Sequence, residues 1–204
     1  MDSGATRNRV EIAGEAGADR RLRADAQRSI GAVLEAAKAV FATSGIDAPV
    51  REIADRAGVG IGTIYRHFPR RPDLIAAVFR QEIDACADTL DALAVEYPPF
   101  EALKEGMRRF VELGVTKRGL AQALHSGDPA FDALPVRREE RLRPAFQALF
   151  QTARAAGVIR DDIDADELMN AAASLCLSAP MTRPDQAQRM VALLVDGLRI
   201  GDPR

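Results

Sequence analysis

Residues 49–72 read PVREIADRAGVGIGTIYRHFPRRP. Pro49 suits a first helical turn, where its missing N–H has no intrahelical partner and its fixed φ is already helical. From there Ile53, Ala54 and Ala57 recur at helical spacing as one inner face, which predicts a short helix over 49–57. Gly58 breaks it. A second short helix is predicted over about 60–67. It cannot run on simply, because Phe68-Pro69-Arg70-Arg71-Pro72 holds two prolines that lack the N–H and restrict the residues before them. Two short helices joined by a tight, glycine-containing turn have the dimensions of a helix-turn-helix, whose second helix enters the major groove of DNA.

Upstream, Ile30, Val33, Leu34, Ala37, Val40 and Phe41 recur at helical spacing until Ser44-Gly45 supplies a stop. Residues 1–22 carry few large apolar side chains and predict a flexible arm. Downstream of Pro72, a long helix to about residue 95 places Leu74, Ile75, Val78, Phe79, Ile83, Cys86 and Leu90 on one stripe, and Pro98-Pro99 ends it. Further helices are predicted at about 99–115, 117–125, 137–156, 164–178 and 184–200, with no strand pattern or internal repeat. Pro144 either kinks the 137–156 segment or lies in the first turn of a helix starting near Arg143. In the last segment Leu193 and Val195 widen the stripe of Ala187, Met190, Val191, Leu194 and Leu198, which implies burial on two sides. The fold class is therefore all-α: an N-terminal three-helix domain over 23–71, then a larger helical domain over 72–204.

The 204 residues are 47% hydrophobic and 28% charged, an ordinary globular balance, so a packed core rather than disorder is expected. The net charge of −2 hides an asymmetry: residues 1–80 carry +3 and residues 81–204 carry −5. A basic end attracts phosphates while an acidic body stays off random polyanions. No apolar run reaches the length of a membrane span and the N-terminus is polar, so a cytoplasmic protein without membrane association is expected. Cys86 and Cys176 stand far apart without CxxC spacing and read as reduced thiols. There is no GxSxG, Walker phosphate loop, GxGxxG or HExxH, and only two histidines, which argues against an enzyme and implies no cofactor. Asp161, Asp162, Asp164 and Asp166 lie between predicted helices and read as helix-start charge rather than a metal site.

The second short helix presents Ile61, Gly62, Thr63, Tyr65, Arg66 and His67, a mixture of hydroxyl, cationic and methyl-bearing groups able to reach phosphates and base edges. Here the chain resembles a known family. Val50-Arg51-Glu52-Ile53-Ala54, Ala57-Gly58-Val59, Gly62-Thr63-Ile64-Tyr65-Arg66-His67-Phe68, and Arg71 with Leu74 resemble the N-terminal motif of TetR-family regulators, over roughly residues 26–80. The resemblance implies phosphate contacts from Tyr65 and His67 and a phosphate- or base-facing Thr63. It also implies a phosphate contact from Arg71, which stands where the family usually has lysine. Arg51 joins this DNA-binding set. Gly60 and Ile61 depart from the family pattern: glycine offers no capping oxygen, and Ile61 either packs on thymine methyls or tucks into the turn. Phe68 is expected in the small domain's core beside Phe41 and Ile64.

For the rest of the chain the resemblance implies a homodimer whose interface is a four-helix arrangement. Segments 137–156 and 184–200 are the candidates, through Leu142, Phe146, Leu149, Phe150, Ala153, Met190, Leu194 and Leu198. It also implies a cavity for a small-molecule effector between the long helix and segments 99–125 and 164–178, with Met107, Phe110, Leu124, His125, Phe131 and Cys176 as candidate lining. The expected function is a repressor of transcription, released by that effector from an inverted-repeat operator in double-stranded DNA. A helical binding module that has lost DNA contact is the competing reading. The basic N-terminal end and the presence of Tyr65, His67 and Arg71 weigh against it.

Overall fold

The computed structural model describes residues 26–119, 121–124, 126–178 and 185–200, with 115–119 and 121–122 described by backbone alone. The arm expected over 1–22 and the candidate His125 lie outside the described residues. The chain divides into two compact units, one ending at Leu74 and the other beginning at Ile75.

The first unit contains α1 (26–44), α2 (Val50–Ala57), α3 (Ile61–His67) and the first turn of α4 (Arg71–Glu96). Of its predicted core, Val33, Ala37, Val40, Phe41, Ile53, Ala54, Ile64 and Leu74 are buried, whereas Ile30, Leu34 and Ala57 are half-buried. Burial of such side chains is worth about 1.5–3 kcal/mol each, enough to hold helices too short to persist alone. Ser44 Oγ donates to Glu52 Oε1 at 3.1 Å, tying the end of α1 to α2.

In the second unit the remainder of α4 is followed by α5 (Pro99–Gly119), α6 (Ala121–Leu124), a 3₁₀ turn (Pro129–Phe131) and α7 (Ala133–Arg137). A π turn (Arg138–Leu142) then leads into α8 (Arg143–Ala155), α9 (Ala165–Ser178) and α10 (Asp185–Asp196). Helix α5 packs against α8, α9 and α10. Leu103, Met107 and Val111 on α5 are buried together with Phe146 and Phe150 of α8. The rings of Phe110 and Phe146 lie 6.1 Å apart in a tilted arrangement favoured by their quadrupoles.

Three boundaries differ from the sequence reading. Helix α5 runs on to Gly119 rather than stopping near 115. The segment expected from 137 begins at Ala133, with Pro135 in its first turn where a missing N–H is harmless. Helix α10 stops at Asp196 instead of reaching 200, because the residues after it pair with the chain before α9. Arg160 N–H donates to Leu198 O at 2.9 Å and Ile200 N–H donates to Val158 O at 3.2 Å. Pro144 lies in the first turn of α8, which starts at Arg143, the second of the two outcomes expected for it. The π turn directly before it widens the backbone where the proline ring would meet the preceding carbonyls, and α8 continues from it.

The Asp-rich stretch before α9 serves local structure. Glu167 N–H donates to Asp164 Oδ1 and Asp164 N–H donates to Glu167 Oε2, both at 2.8 Å, a capping box at the head of the helix. Asp166 pairs with Arg143 at 2.5 Å, which lowers its pKa. Both cysteines are buried and neither is in a disulfide, and burial pushes Cys86 up to about 11, far from the thiolate. Among the described residues no helix is long and apolar enough to cross a membrane.

Candidate functional site

In the first unit α2 and α3 pack on each other across the three residues Gly58, Val59 and Gly60. Gly58 sits at φ +68°, in the left-handed region that a β-carbon disfavours. There its N–H donates to Asp55 O and the next N–H, of Val59, donates to Ala54 O at 3.1 Å, satisfying carbonyls that the helix end leaves open. The chain then turns at Gly60, whose extended backbone (φ −69°, ψ 143°) begins α3 without a side-chain cap. The turn length and the left-handed glycine match a helix-turn-helix.

Helix α3 buries one residue, Ile64, and leaves most of the rest open. Tyr65 is 50% exposed and Ile61 44%, with Gly62, Arg66 and His67 exposed beside them and Thr63 half-buried. Ile61 therefore does not tuck into the turn. An exposed tyrosine and isoleucine on a seven-residue helix with two cationic-capable neighbours and no acid form a surface suited to a polyanion with apolar groove contacts. Arg51 is exposed on α2. Phe68 is half-buried rather than central to the core; its N–H donates to Ile64 O at 2.7 Å and closes α3.

Arg71 is placed differently from the sequence reading. Its Nη1 donates to Ile46 O and its Nη2 to Ala48 O, carbonyls of the loop between α1 and α2. With both terminal nitrogens engaged inside the protein, the guanidinium clasps the start of α4 to that loop, a role that the resemblance did not imply. The planar fork that would bind a phosphate bidentately serves equally for two carbonyls.

In the second unit a cavity of about 490 Å³ opens among α4, α5, α7, the π turn and α9. Phe110, Leu124, Phe131 and Cys176, four of the six residues expected to line an effector site, border it. Met107 does not: it borders a separate groove of about 630 Å³ between α5 and α10 that also holds Lys104, Arg108 and Arg189. The sequence reading missed Phe79 and Ile83 from α4, Leu134 and Leu142 around the π turn, and Arg138. Among the described residues Arg138 is the sole charged side chain that borders this cavity, and no acid borders it. Nothing singled it out beforehand, since the run Arg137-Arg138-Glu139-Glu140-Arg141 reads as a solvated face. Two ion pairs fasten that run to α4: Arg137 with Asp84 at 2.6 Å, and Arg141 with Asp88. Their matched four-residue spacing on both partners holds the π turn along the long helix. Glu139 accepts from Arg138 at 2.7 Å and from Arg143 at 3.1 Å, and these two guanidinium groups hold its carboxyl below the ordinary range.

The expected interface residues divide sharply. Phe146, Leu149, Phe150 and Leu198 are buried within the chain, as are Leu142 and Ala153, so they have no surface left for a partner. This corrects their assignment. Helix α8 spends its apolar stripe on α5 and α9. Met190 remains exposed and Leu194 half-buried. Two residues that were not singled out as interface candidates are more open: Leu193 on α10 is 64% exposed and Leu177 on α9 is 65% exposed.

Residues 33–78 match the family model described as bacterial regulatory proteins, tetR family, and residues 98–200 match that described as transcriptional regulator SbtR-like, C-terminal domain. Among solved structures, a TetR transcriptional regulator from Streptomyces coelicolor is 38% identical and superposes with a TM-score of 0.71, covering 83% of this chain and 98% of that one. A TetR transcription regulatory protein from Mycobacterium vanbaalenii is 36% identical with a TM-score of 0.71, covering 88% and 99%. An HTH-type transcriptional regulator of Staphylococcus aureus is 24% identical over 109 residues, which is 52% of this chain and 59% of that relative's length. The match to this curated relative thus spans less than two thirds of it.

Proposed function

The chain belongs to the TetR family of transcriptional regulators, and from that membership we propose that it is a homodimeric repressor released from an inverted-repeat operator by a small molecule. The observation that carries this reading is the surface of α3: Ile61, Gly62, Tyr65, Arg66 and His67 are open to solvent on a helix fixed from beneath by Ile64. Tyr65 and His67 contact phosphates and set the docking of the helix, while Ile61 and Thr63 face base edges.

The dimer forms through α9 and α10. Leu177, Met190 and Leu193 are apolar, exposed and confined to those two helices, whereas the outward residues of α8 include Pro144, Ala148, Gln151 and Thr152. A two-fold pairing of α9 and α10 buries the apolar side chains of both copies in one four-helix arrangement.

The 490 Å³ cavity is the effector site, within the size range of small-molecule pockets. Phe79 and Ile83 give it a wall on α4, the helix whose first turn belongs to the DNA-binding unit. A ligand that shifts α4 in each protomer changes the spacing of the two recognition helices, and a coupling of about 1–3 kcal/mol lowers operator affinity roughly 5- to 150-fold. The test is selection of bound sequences from a random DNA pool by the full chain. Two related half-sites in inverted orientation are expected, with centres about one helical turn or a modest extension of it apart. Recovery of a single asymmetric site, or no enrichment, overturns the reading.

A further inference from the structure

The cavity in the second unit also speaks to the chemistry of its occupant, and this deepens the effector reading on which it rests. We propose that the ligand is a monocarboxylic acid with an extended apolar body, its carboxylate held by Arg138 and its body lying against Phe79, Phe110, Phe131 and Leu134. The walls are aromatic and aliphatic, so the body of the ligand is apolar, since a polar group inside would lose its water without gaining a partner. Among the described residues Arg138 is the only charged side chain on the border, and its ion-pair partner Glu139 lies off that border, so this guanidinium is the one charge a ligand meets. A neutral molecule would bury the same walls but leave the one guanidinium unused. A phosphate dianion would bring two charges to a single guanidinium beside apolar walls, where the surplus charge is costly. A carboxylate matches both the charge and the planar fork.

Arg138 is free to change partners without stranding the one it has. Its contact is Glu139, the adjacent residue, and Glu139 also accepts from Arg143 Nη1 at 3.1 Å. When Arg138 turns to a ligand, Arg143 keeps that carboxylate compensated. The backbone supports the arrangement: the π turn brings Arg138 and Leu142 to the same cavity, and the pairs of Arg137 and Arg141 with α4 fix the residues on either side of it. Single π turns in helices recur at functional sites.

The experiment is calorimetric titration of the whole 204-residue chain with decanoate, decan-1-ol and decylamine, repeated on Arg138→Gln and Arg138→Lys. A cavity that sees only apolar area favours the alcohol over the better-hydrated carboxylate. The wild type is expected to bind decanoate at least about 10-fold more tightly than the alcohol, a difference of about 1.4 kcal/mol, and to bind the amine most weakly. Arg138→Gln is expected to lose the preference for the acid while keeping its affinity for the alcohol, and Arg138→Lys to retain part of the preference. Equal binding of acid and alcohol, an acid preference that survives Arg138→Gln, or binding of none of the three overturns the assignment. DNA affinity measured with and without decanoate separates this from the parent reading. Acid binding that depends on Arg138 but leaves DNA affinity unchanged upholds the ligand class and counts against the release mechanism alone.

Discussion

The two units of this chain differ in how tightly their work dictates their residues. In the first, a seven-residue helix must present one face to a polyanion of fixed geometry while a single side chain, Ile64, holds the other face to the core. Turn length and the left-handed Gly58 follow from the backbone at the end of α2, and the proposed contacts of Tyr65 and His67 are constrained by that external partner. In the second, the requirements are apolar volume, a space among α4, α5, α7, the π turn and α9, and a surface for a second copy. Many combinations of leucine, phenylalanine and alanine meet them. Recognition of a polymer leaves a local signature in sequence, whereas enclosure of a ligand is spread over several helices and leaves none.

Three substitutions break or sharpen this contrast. The largest effect is expected from Leu193→Arg, which places a charge on the exposed apolar face of α10. Light scattering should find monomer at micromolar concentration. Operator affinity should fall by at least about 100-fold, because the second half-site is no longer bound at high effective concentration. Ala148→Arg, on the outward side of α8, should leave the dimer intact; a monomer from this variant and a dimer from Leu193→Arg would return the interface to α8. A smaller effect follows from Arg71→Ala. Loss of the clasp onto the Ile46 and Ala48 carbonyls should destabilise the protein by about 1.5–3 kcal/mol in chemical denaturation, the range for hydrogen bonds to a charged group. The salt dependence of DNA binding should keep its slope. A slope flatter by about one unit, with unchanged stability, would restore Arg71 as a phosphate contact.

Much of the first unit was legible. Period and punctuation placed α2 and α3, because Pro49, Gly58 and Pro69-Arg70-Arg71-Pro72 act through backbone chemistry that needs no tertiary context. The direction of Arg71 was not legible, since a guanidinium fits a phosphate and a pair of carbonyls alike. In the second unit the helices were readable but their faces were not. Phe146 and Leu193 both sit on apolar stripes; that one is covered by its own chain and the other is open depends on how α5 threads between α8, α9 and α10. Pro144 was ambiguous because the outcome depends on the π turn, which only the packing of Arg137 and Arg141 against α4 makes visible. Arg138 was hidden in a charged run. Its proposed role rests on its bordering a cavity, a property of the assembled helices.

The central claim, that the open face of α3 is the DNA-reading surface, is tested most directly by fluorescence-anisotropy titration of the selected operator and of a scrambled duplex with Tyr65→Phe and His67→Ala. Both residues are exposed, so neither substitution should alter the melting transition or the dimer. The account predicts that each variant binds both duplexes more weakly by a similar factor, the mark of contacts that position the protein on the backbone without reading sequence. Undiminished binding of both duplexes by both variants would contradict it.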